Sequence, residues 1–299
     1  MDEFCQQCLE PEVRPGPAAS LSRSEVVTLG LFSQWQRFRS ERDFYRFAQA
    51  QLRPLFPRLP HRSQFNRLLR RHHPVLCACF TQLVQQLQAW PGYDFCYEAL
   101  DASAAATRDC KRRGSGWLPG QAQIGWSNRS GWFEGFHLLL AVNPQGVITG
   151  FCFGSGNAKD QVLAEDFLAA RCGLRPRCAT VGAKAHGFYV ADRGFEGDAR
   201  RQHWQSHYQA RVLCPAKRNA KRQRWWPKSL RGWIASIRQI VETVYGKLHH
   251  TFGLDRERPH ALNGFYSRLL CRATLHNFCV LLNQRLGRAP LAFADLLAW

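Results

Sequence analysis

Three acids in this 299-residue chain stand where a carboxylate is costly unless something uses it. Asp101 follows the largely apolar run "YDFCYEAL", and Asp192 follows "GFYVA". Both runs read as strands that end on the acid, which places each aspartate at a sheet edge. A carboxylate there must be hydrated, paired or bound to metal. Two aspartates at the ends of neighbouring strands can share a divalent cation. Their hard oxygens suit Mg²⁺, which keeps several waters and takes only one or two carboxylates. The third acid, Glu242, lies in "GWIASIRQIVETVYGKLHH". At helical spacing, Trp233, Ile237, Val241, Val244 and Leu248 form an apolar stripe, with Ile234, Arg238, Glu242, Tyr245 and His249 in a line beside it. Glu242 thus borders the packed face and is expected to point along the sheet toward the aspartates. Arg238, one turn earlier, would orient that carboxylate or grip a phosphate. Each acid alone has a plainer explanation. Asp101 could cap a turn, Asp192 could be a turn residue before Arg193-Gly194, and Glu242 with Arg238 could be a surface i,i+4 pair contributing ~0.3–0.5 kcal/mol.

The elements around these acids fall into three parts. Residues 1–20 are Pro-, Gly- and Ala-rich and are expected to be loose. Residues 21–92 read as helices: "LSRSEVVTLGLFSQWQRF" with Ser22 or Ser24 as cap, "ERDFYRFAQAQL", "HRSQFNRLLRRHH" with Ser63 as cap, and "PVLCACFTQLVQQLQAW" before Pro91-Gly92. From Arg14 to His73 there are 12 Lys+Arg and three acids. Short basic helices of this kind suit a helix-turn-helix-like DNA module, with Arg62, Arg67, Arg70 and Arg71 as contacts. An ordinary helical subdomain with a solvated basic face is the alternative. Residues 93–299 read as α/β. A strand at Asp101 and a hairpin turning at Asn143-Pro144-Gln145-Gly146 come first. Then follow the helix "DQVLAEDFLAARC", the strand before Asp192, an intervening helix, the strand "YQARVLCPAK" and two long helices. Three strands, helix, strand, helix, strand, helix is the order of ribonuclease H-like folds.

With 41 Lys+Arg against 22 Asp+Glu, the chain carries a formal net charge of +19, which favours a polyanionic partner such as nucleic acid. No acid occurs between Asp198 and Glu242, whereas eleven Lys+Arg do. The densest part is a basic loop at 215–232. There Lys217, Arg218, Lys221, Arg222 and Arg224 can neutralise phosphates. Trp225 and Trp226 could stack on an unpaired base or pack beneath the loop. Lys111, Arg112 and Arg113 form a second basic loop after the first strand. Twelve cysteines are scattered, with only Cys5-x-x-Cys8 and Cys77-x-Cys79 close together, so reduced and mostly buried thiols are expected rather than a zinc site. Neither a membrane span nor a secretory leader is evident, which makes a cytoplasmic protein the expectation. Dinucleotide and Walker-type phosphate loops are missing, so NAD or ATP chemistry has no support.

"LSRSEVVTL", "FPRLPHRSQFNRLLRR", "LDAS", "GFHLLLAVNPQGVI", "GSGNAKD", "ADRGFEG" and "RQIVETVYGKL" occur in this order over most of the chain. As an ordered set they resemble bacterial insertion-sequence transposases with a DDE catalytic core, close to the family named for insertion sequence 982. The resemblance implies a ribonuclease H-like (retroviral integrase-like) core in which Asp101, Asp192 and Glu242 hold two Mg²⁺ or Mn²⁺ ions. It also implies double-stranded DNA as partner, both terminal inverted repeats and target, a homodimer when assembled on DNA, and work at the nucleoid. The reaction implied is cleavage at the element's ends followed by attack of the freed 3′-hydroxyl on target DNA. Arg238, Lys247 and His249 fall where such proteins grip phosphate. His249 replaces the lysine often found seven residues after the glutamate, Ala235 replaces a tyrosine, and His137 stands where the hairpin usually has lysine. Two other readings remain: a catalytically inactive, domesticated DNA-binding derivative, and an RNA-directed nuclease of the same fold.

Overall fold

The computed structural model describes residues 1–10, 19–35, 38, 40–93, 96–111, 116–174, 179–182, 187–215 and 226–297. Helix α1 (Asp2–Cys8) precedes α2 (Arg23–Phe32), which begins with a capping box: Ser22 Oγ accepts from the Glu25 amide, and the Glu25 carboxylate accepts from the Ser22 amide. Helix α3 (Glu41–Phe47) runs into a π turn (Ala48–Leu52), and α4 (Arg62–Arg71) and α5 (His73–Gln88) follow. The cap of α4 is His61 rather than the expected Ser63. A cap needs extended backbone, and His61 has it (φ −64°, ψ 149°), whereas Ser63 is already in the first turn and donates its amide to His61 Nδ1.

The α/β part contains β1 (Glu98–Asp109), β2 (Gln123–Ser127), β3 (Gly131–Val142), β4 (Ile148–Ser155), α6 (Asp160–Arg171), β5 (Ala179–Gly182), β6 (Phe188–Ala191), α7 (Asp198–Tyr208), β7 (Arg211–Leu213), α8 (Lys228–Gly246), α9 (Leu262–Arg285) and α10 (Ala294–Leu297). A π turn (Lys247–Thr251) extends α8. The seven strands form one sheet in the order β5-β4-β3-β1-β6-β7, with β2 on the free part of β3. β1, β3, β4 and β5 pair antiparallel, whereas β1–β6 and β6–β7 are parallel. The β3–β4 hairpin turns where expected, with Asn143 Oδ1 accepting from the Gln145 and Val147 amides and Gly146 at φ 84°. Strands β2 and β5 were not expected from the sequence. β2 fits because Gly125 has no side chain: a Cβ there would lie 1.9 Å from the Gly156 carbonyl oxygen.

Alternate residues of each central strand feed two apolar clusters. Ala99, Leu138, Leu140 and Val190 join one with α2–α5, α8 and α9. Leu100, Leu139, Tyr189 and Ala191 join the other with α6 and α7. The buried stripe of α8 is Ile234, Ile237, Val241, Val244 and Tyr245. Trp233, expected in it, is 38% exposed, and Ile234 and Tyr245 take the inner positions instead. Of the described cysteines, Cys79, Cys152, Cys214, Cys271 and Cys279 are buried while Cys8, Cys96 and Cys172 are exposed, a more even split than expected. Among the described residues no helix is long and apolar enough to cross a membrane.

Helix α9 is the common spine. On one side it packs against α2, α4 and α5, and on the other it meets β4, where Asn277 receives the Ile148 amide (2.9 Å) and donates to the Ile148 carbonyl (2.8 Å). Its first turns are held by Glu257, a buried carboxylate that accepts from Arg268 Nη2 at 2.8 Å and lies 2.6 Å from Arg272 Nη1. The two guanidinium charges outweigh the cost of burial and hold this carboxyl at about 2. Glu257→Gln should therefore destabilise the fold by about 3 kcal/mol at pH 7, read from urea unfolding, because two buried arginines lose their counter-charge. The carboxyl is depressed in the folded state, so this contribution is complete above the unfolded value near 4.5 and disappears as pH falls through about 2. The difference between wild type and variant should shrink over that interval.

Candidate active site

Parallel pairing of β6 with β1 sets the site. Glu98, Ala99 and Leu100 lie opposite Tyr189, Val190 and Ala191, after which β6 stops. The next residues on the two chains are Asp101 and Asp192. Ala99 and Val190 belong to the cluster under α8, so two-residue alternation aims both aspartates at the α8 side. Asp192 leaves the strand as expected and caps a 3₁₀ turn (Arg193–Phe195), its Oδ1 accepting from the Gly194 amide at 2.6 Å. Asp101 does not end its strand. β1 continues to Asp109 because β3 partners it along its length, and only the β6 side falls away. The sheet edge expected at Asp101 is thus supplied by its neighbour.

This proximity has an electrostatic cost. Burial, and then the negative charge of Asp192, push the Asp101 carboxyl up to about 7, with Arg238 opposing the shift. Asp160, the first residue of α6, joins the pair. Its carboxyl is also raised, by burial first and by Asp192 next, while His137 acts against this. His137 Nδ1 donates to the Ala158 carbonyl at 2.8 Å and stands 3.6 Å from Asp160 Oδ1. Gly194 leaves a gap between the acids: a Cβ there would lie 2.6 Å from Asp160 Oδ2 and 2.8 Å from Asp192 Oδ1. Any side chain at 194 would fill the space that these oxygens face. The sequence reasoning passed over Asp160 and Gly194; their signal was the "GSGNAKD" and "ADRG" stretches.

Helix α8 crosses the same place. The buried Tyr245 hydroxyl sits 2.7 Å from the Leu138 carbonyl and 3.0 Å from that of Asp101, fastening the helix to β3 and β1. Arg238, two turns earlier, acts on Asp101 through its charge. Glu242 lies between the two. Its side chain is 58% exposed and pairs with Arg238 Nη2 at 3.4 Å. Arg238 Nε is buried without a hydrogen-bond partner. The structure therefore brings Asp101 and Asp192 together and sets Glu242 on the helix above them, turned outward to Arg238.

The remaining expected contacts scatter. Arg67 and Arg71 are exposed on α4, whereas Arg62 pairs with Glu41 at 3.3 Å and Arg70 is half-buried. Lys111 is exposed at the end of β1. Lys247 lies over the Phe293 ring at 5.3 Å. His249 is turned inward, with 1% of its side chain exposed, and holds Asp255 Oδ1 at 2.6 Å, so in this arrangement it cannot touch phosphate. The π turn beginning at Lys247 shifts the helical phase and carries both residues off the face of Glu242. Trp226 is half-buried against the main core. Arg112, Arg113, Lys217, Arg218, Lys221, Arg222, Arg224 and Trp225 lie outside the described residues.

Among the described residues, no group of three His, Cys, Asp or Glu side chains is gathered closely enough to hold an ion. The donor chemistry nonetheless suits a hard divalent cation. Crowded aspartate oxygens face a gap kept open by glycine, and the Asp101 carboxyl is raised by burial first and by the neighbouring Asp192 next. Completion of a triad would need Glu242 to leave Arg238, an exposed pair that costs little to break.

The family model described as the transposase DDE domain matches residues 99–278, a span that includes all three acids, Asp160, α8 and most of α9. Comparison with curated proteins finds no match.

The raised Asp101 carboxyl gives a signed expectation. In metal-free protein the folded group titrates near 7 and the unfolded one near 3.8. The folded state then carries a penalty that grows from about pH 4 and is complete above about pH 7. Asp101→Asn should raise the melting temperature at pH 8, by up to ~4 kcal/mol of stability, and have little effect at pH 4. Added Mn²⁺ should raise the melting temperature of the wild type and leave the variant nearly unmoved.

Proposed function

This chain belongs to the transposase DDE-domain family and is a nucleic-acid-processing enzyme of DNA transposition, and from that premise we propose that it cuts DNA at the ends of an insertion sequence and joins the freed 3′-hydroxyl to target DNA, with Asp101, Asp192 and Glu242 as its metal-binding acids. The observation that carries the reading is the register of β1 with β6, which sets Asp101 beside Asp192 on the side of the sheet that α8 covers. The order β4-β3-β1-β6-β7, antiparallel and then parallel, supports a ribonuclease H-like core. The ordered motifs support kinship with the insertion sequence 982 group.

Divalent ions held by the acids would lower the pKa of an attacking water or 3′-hydroxyl and stabilise the leaving oxygen. The protein's own part is positioning and charge. Asp101 keeps a proton near neutrality while the site is empty of cation and gives it up when positive charge arrives. His137 holds Asp160 by one oxygen, and the other faces the gap over Gly194. Tyr245 fixes α8, and with it the reach of Glu242 and Arg238. The exposed end of the Arg238 guanidinium, now against Glu242, would be free to meet a phosphate oxygen once Glu242 turned to a metal ion. The helices of residues 21–92 would hold DNA while residues 93–299 cut it, and a pair of chains would engage the two ends together.

Asp101→Asn, Asp192→Asn and Glu242→Gln should each lower Mg²⁺- or Mn²⁺-dependent strand cleavage by at least about a thousandfold, with duplex binding in a gel-shift assay retained. Full cleavage by any one variant removes that acid from the set. Wild-type cleavage that persists in a chelator removes the metal mechanism.

A further inference from the structure

A cavity of about 710 Å³ separates the N-terminal helices from the segment that leads into α9. Its walls carry opposite ends of the sequence: Arg42, Arg62 and Arg70 from α3 and α4, and Arg256, Arg258 and Arg268 from the other side. Glu41 and Glu257 also line it, but Glu41 accepts from Arg62 and Asn66, and Glu257 is occupied by Arg268 and Arg272. What faces solvent is therefore net positive, with Arg42 and Arg258 exposed on facing walls. Arg258 also lines a second cavity, of about 610 Å³, together with Lys111 and the last residues of β1. Asp109 and Asp255 line it too, so Arg258 and Lys111 carry the positive charge from the groove toward the end of β1 past two acids.

We propose that this groove grips the sugar-phosphate backbone of duplex DNA on the flank of the cleavage point, an inference that rests on the function proposed above. Its chemistry is a set of guanidinium groups on two walls, which suits phosphate oxygens better than base edges. Its position follows from β1. Asp109 lies eight positions along β1 from Asp101 and lines the second cavity with Arg258, so the Arg258 end of the groove stands at most about 27 Å from the aspartates. That distance corresponds to roughly eight base pairs along a duplex. The Arg258 end of the groove meets the strand that carries Asp101, so this spacing is fixed by the fold. The helical layer supplies one wall of the groove, and nearly half of the lining comes from beyond residue 250.

The test is the double variant Arg42→Ala/Arg258→Ala in the full chain, with its melting temperature checked against wild type. Duplexes carrying the element's end are titrated at several salt concentrations. Loss of two phosphate contacts should weaken binding several-fold at low salt, flatten the log–log salt dependence by about 1.8, and do so equally for unrelated sequences. Hydroxyl-radical footprinting should show protection about eight base pairs from the cut disappearing while protection at the cut remains. An unchanged slope and footprint, with wild-type cleavage intact, overturns the role of the groove alone. Absence of metal-dependent cleavage by the wild type instead overturns the function on which it rests.

Discussion

β6 pairs with β1 for three residues and then stops, and the arrangement of the site depends on where it stops. Parallel strands in register bring equivalent positions side by side, so a shift of one residue would send one aspartate to the opposite face of the sheet. The register is fixed by apolar packing on both faces: Ala99 and Val190 lie in one cluster, and Leu100 and Ala191 in the other. Near the far end of the same pairing lies a buried polar knot. Arg171 bonds to Glu98 and also donates to the Tyr189 hydroxyl (3.1 Å) and Thr149 Oγ1 (3.0 Å). Glu98 and Tyr189 are themselves a register pair. Slippage would strand those groups in the interior without partners, a larger penalty than any single apolar mismatch.

Holding Asp101, Asp192 and Asp160 near one another opposes folding, and the structure offsets only part of that cost. Arg238 and His137 act on Asp101 and Asp160, yet both carboxyls stay above the ordinary aspartate range, with burial as the larger cause and mutual repulsion next. Full neutralisation by a tighter Arg pair would have been the more stable solution. A site left short of positive charge is instead ready to take it from solution. The same reasoning explains why Arg238 pairs loosely with an exposed Glu242 rather than with a buried acid: the glutamate remains free to move.

Some of this was legible in the sequence. An apolar run followed by Asp-Arg-Gly marks the end of β6, because charge and a glycine turn cannot continue a buried strand. The Asn143–Gly146 turn and the capped start of α2 could be read for the same local reasons. The length of β1 could not. Ala102 to Ala106 are small and carry no apolar–polar alternation, and the strand persists only because β3 lies alongside. Asp160 reads as an ordinary acid in the first turn of a helix, where the helix dipole favours it. Its second role depends on α6 meeting the turn after β6, a tertiary contact with no local signature. His249 falls in line with Glu242 only if a 3.6-residue period is extended past Gly246, the family resemblance implies the phosphate grip for it and Lys247, and the π turn breaks that period.

The two halves of the chain divide by composition but not by packing. Helices α2, α4 and α5 bury their apolar faces against α9, which in turn rests on the sheet, so one apolar cluster runs through both. A linker-joined DNA-binding module would be free to swing and would have to lose that freedom on binding. Here the entropy is lost once, on folding, and the arginines of α4 are set opposite those of the 256–258 segment before any ligand arrives. The buried Glu257 makes this possible. By pairing with both Arg268 and Arg272 it offsets half of their charge and lets two cations sit at the base of a basic groove beside α9. Arg258 meets the end of the strand that carries Asp101, so the distance between them is held by a paired β-strand and not by a linker.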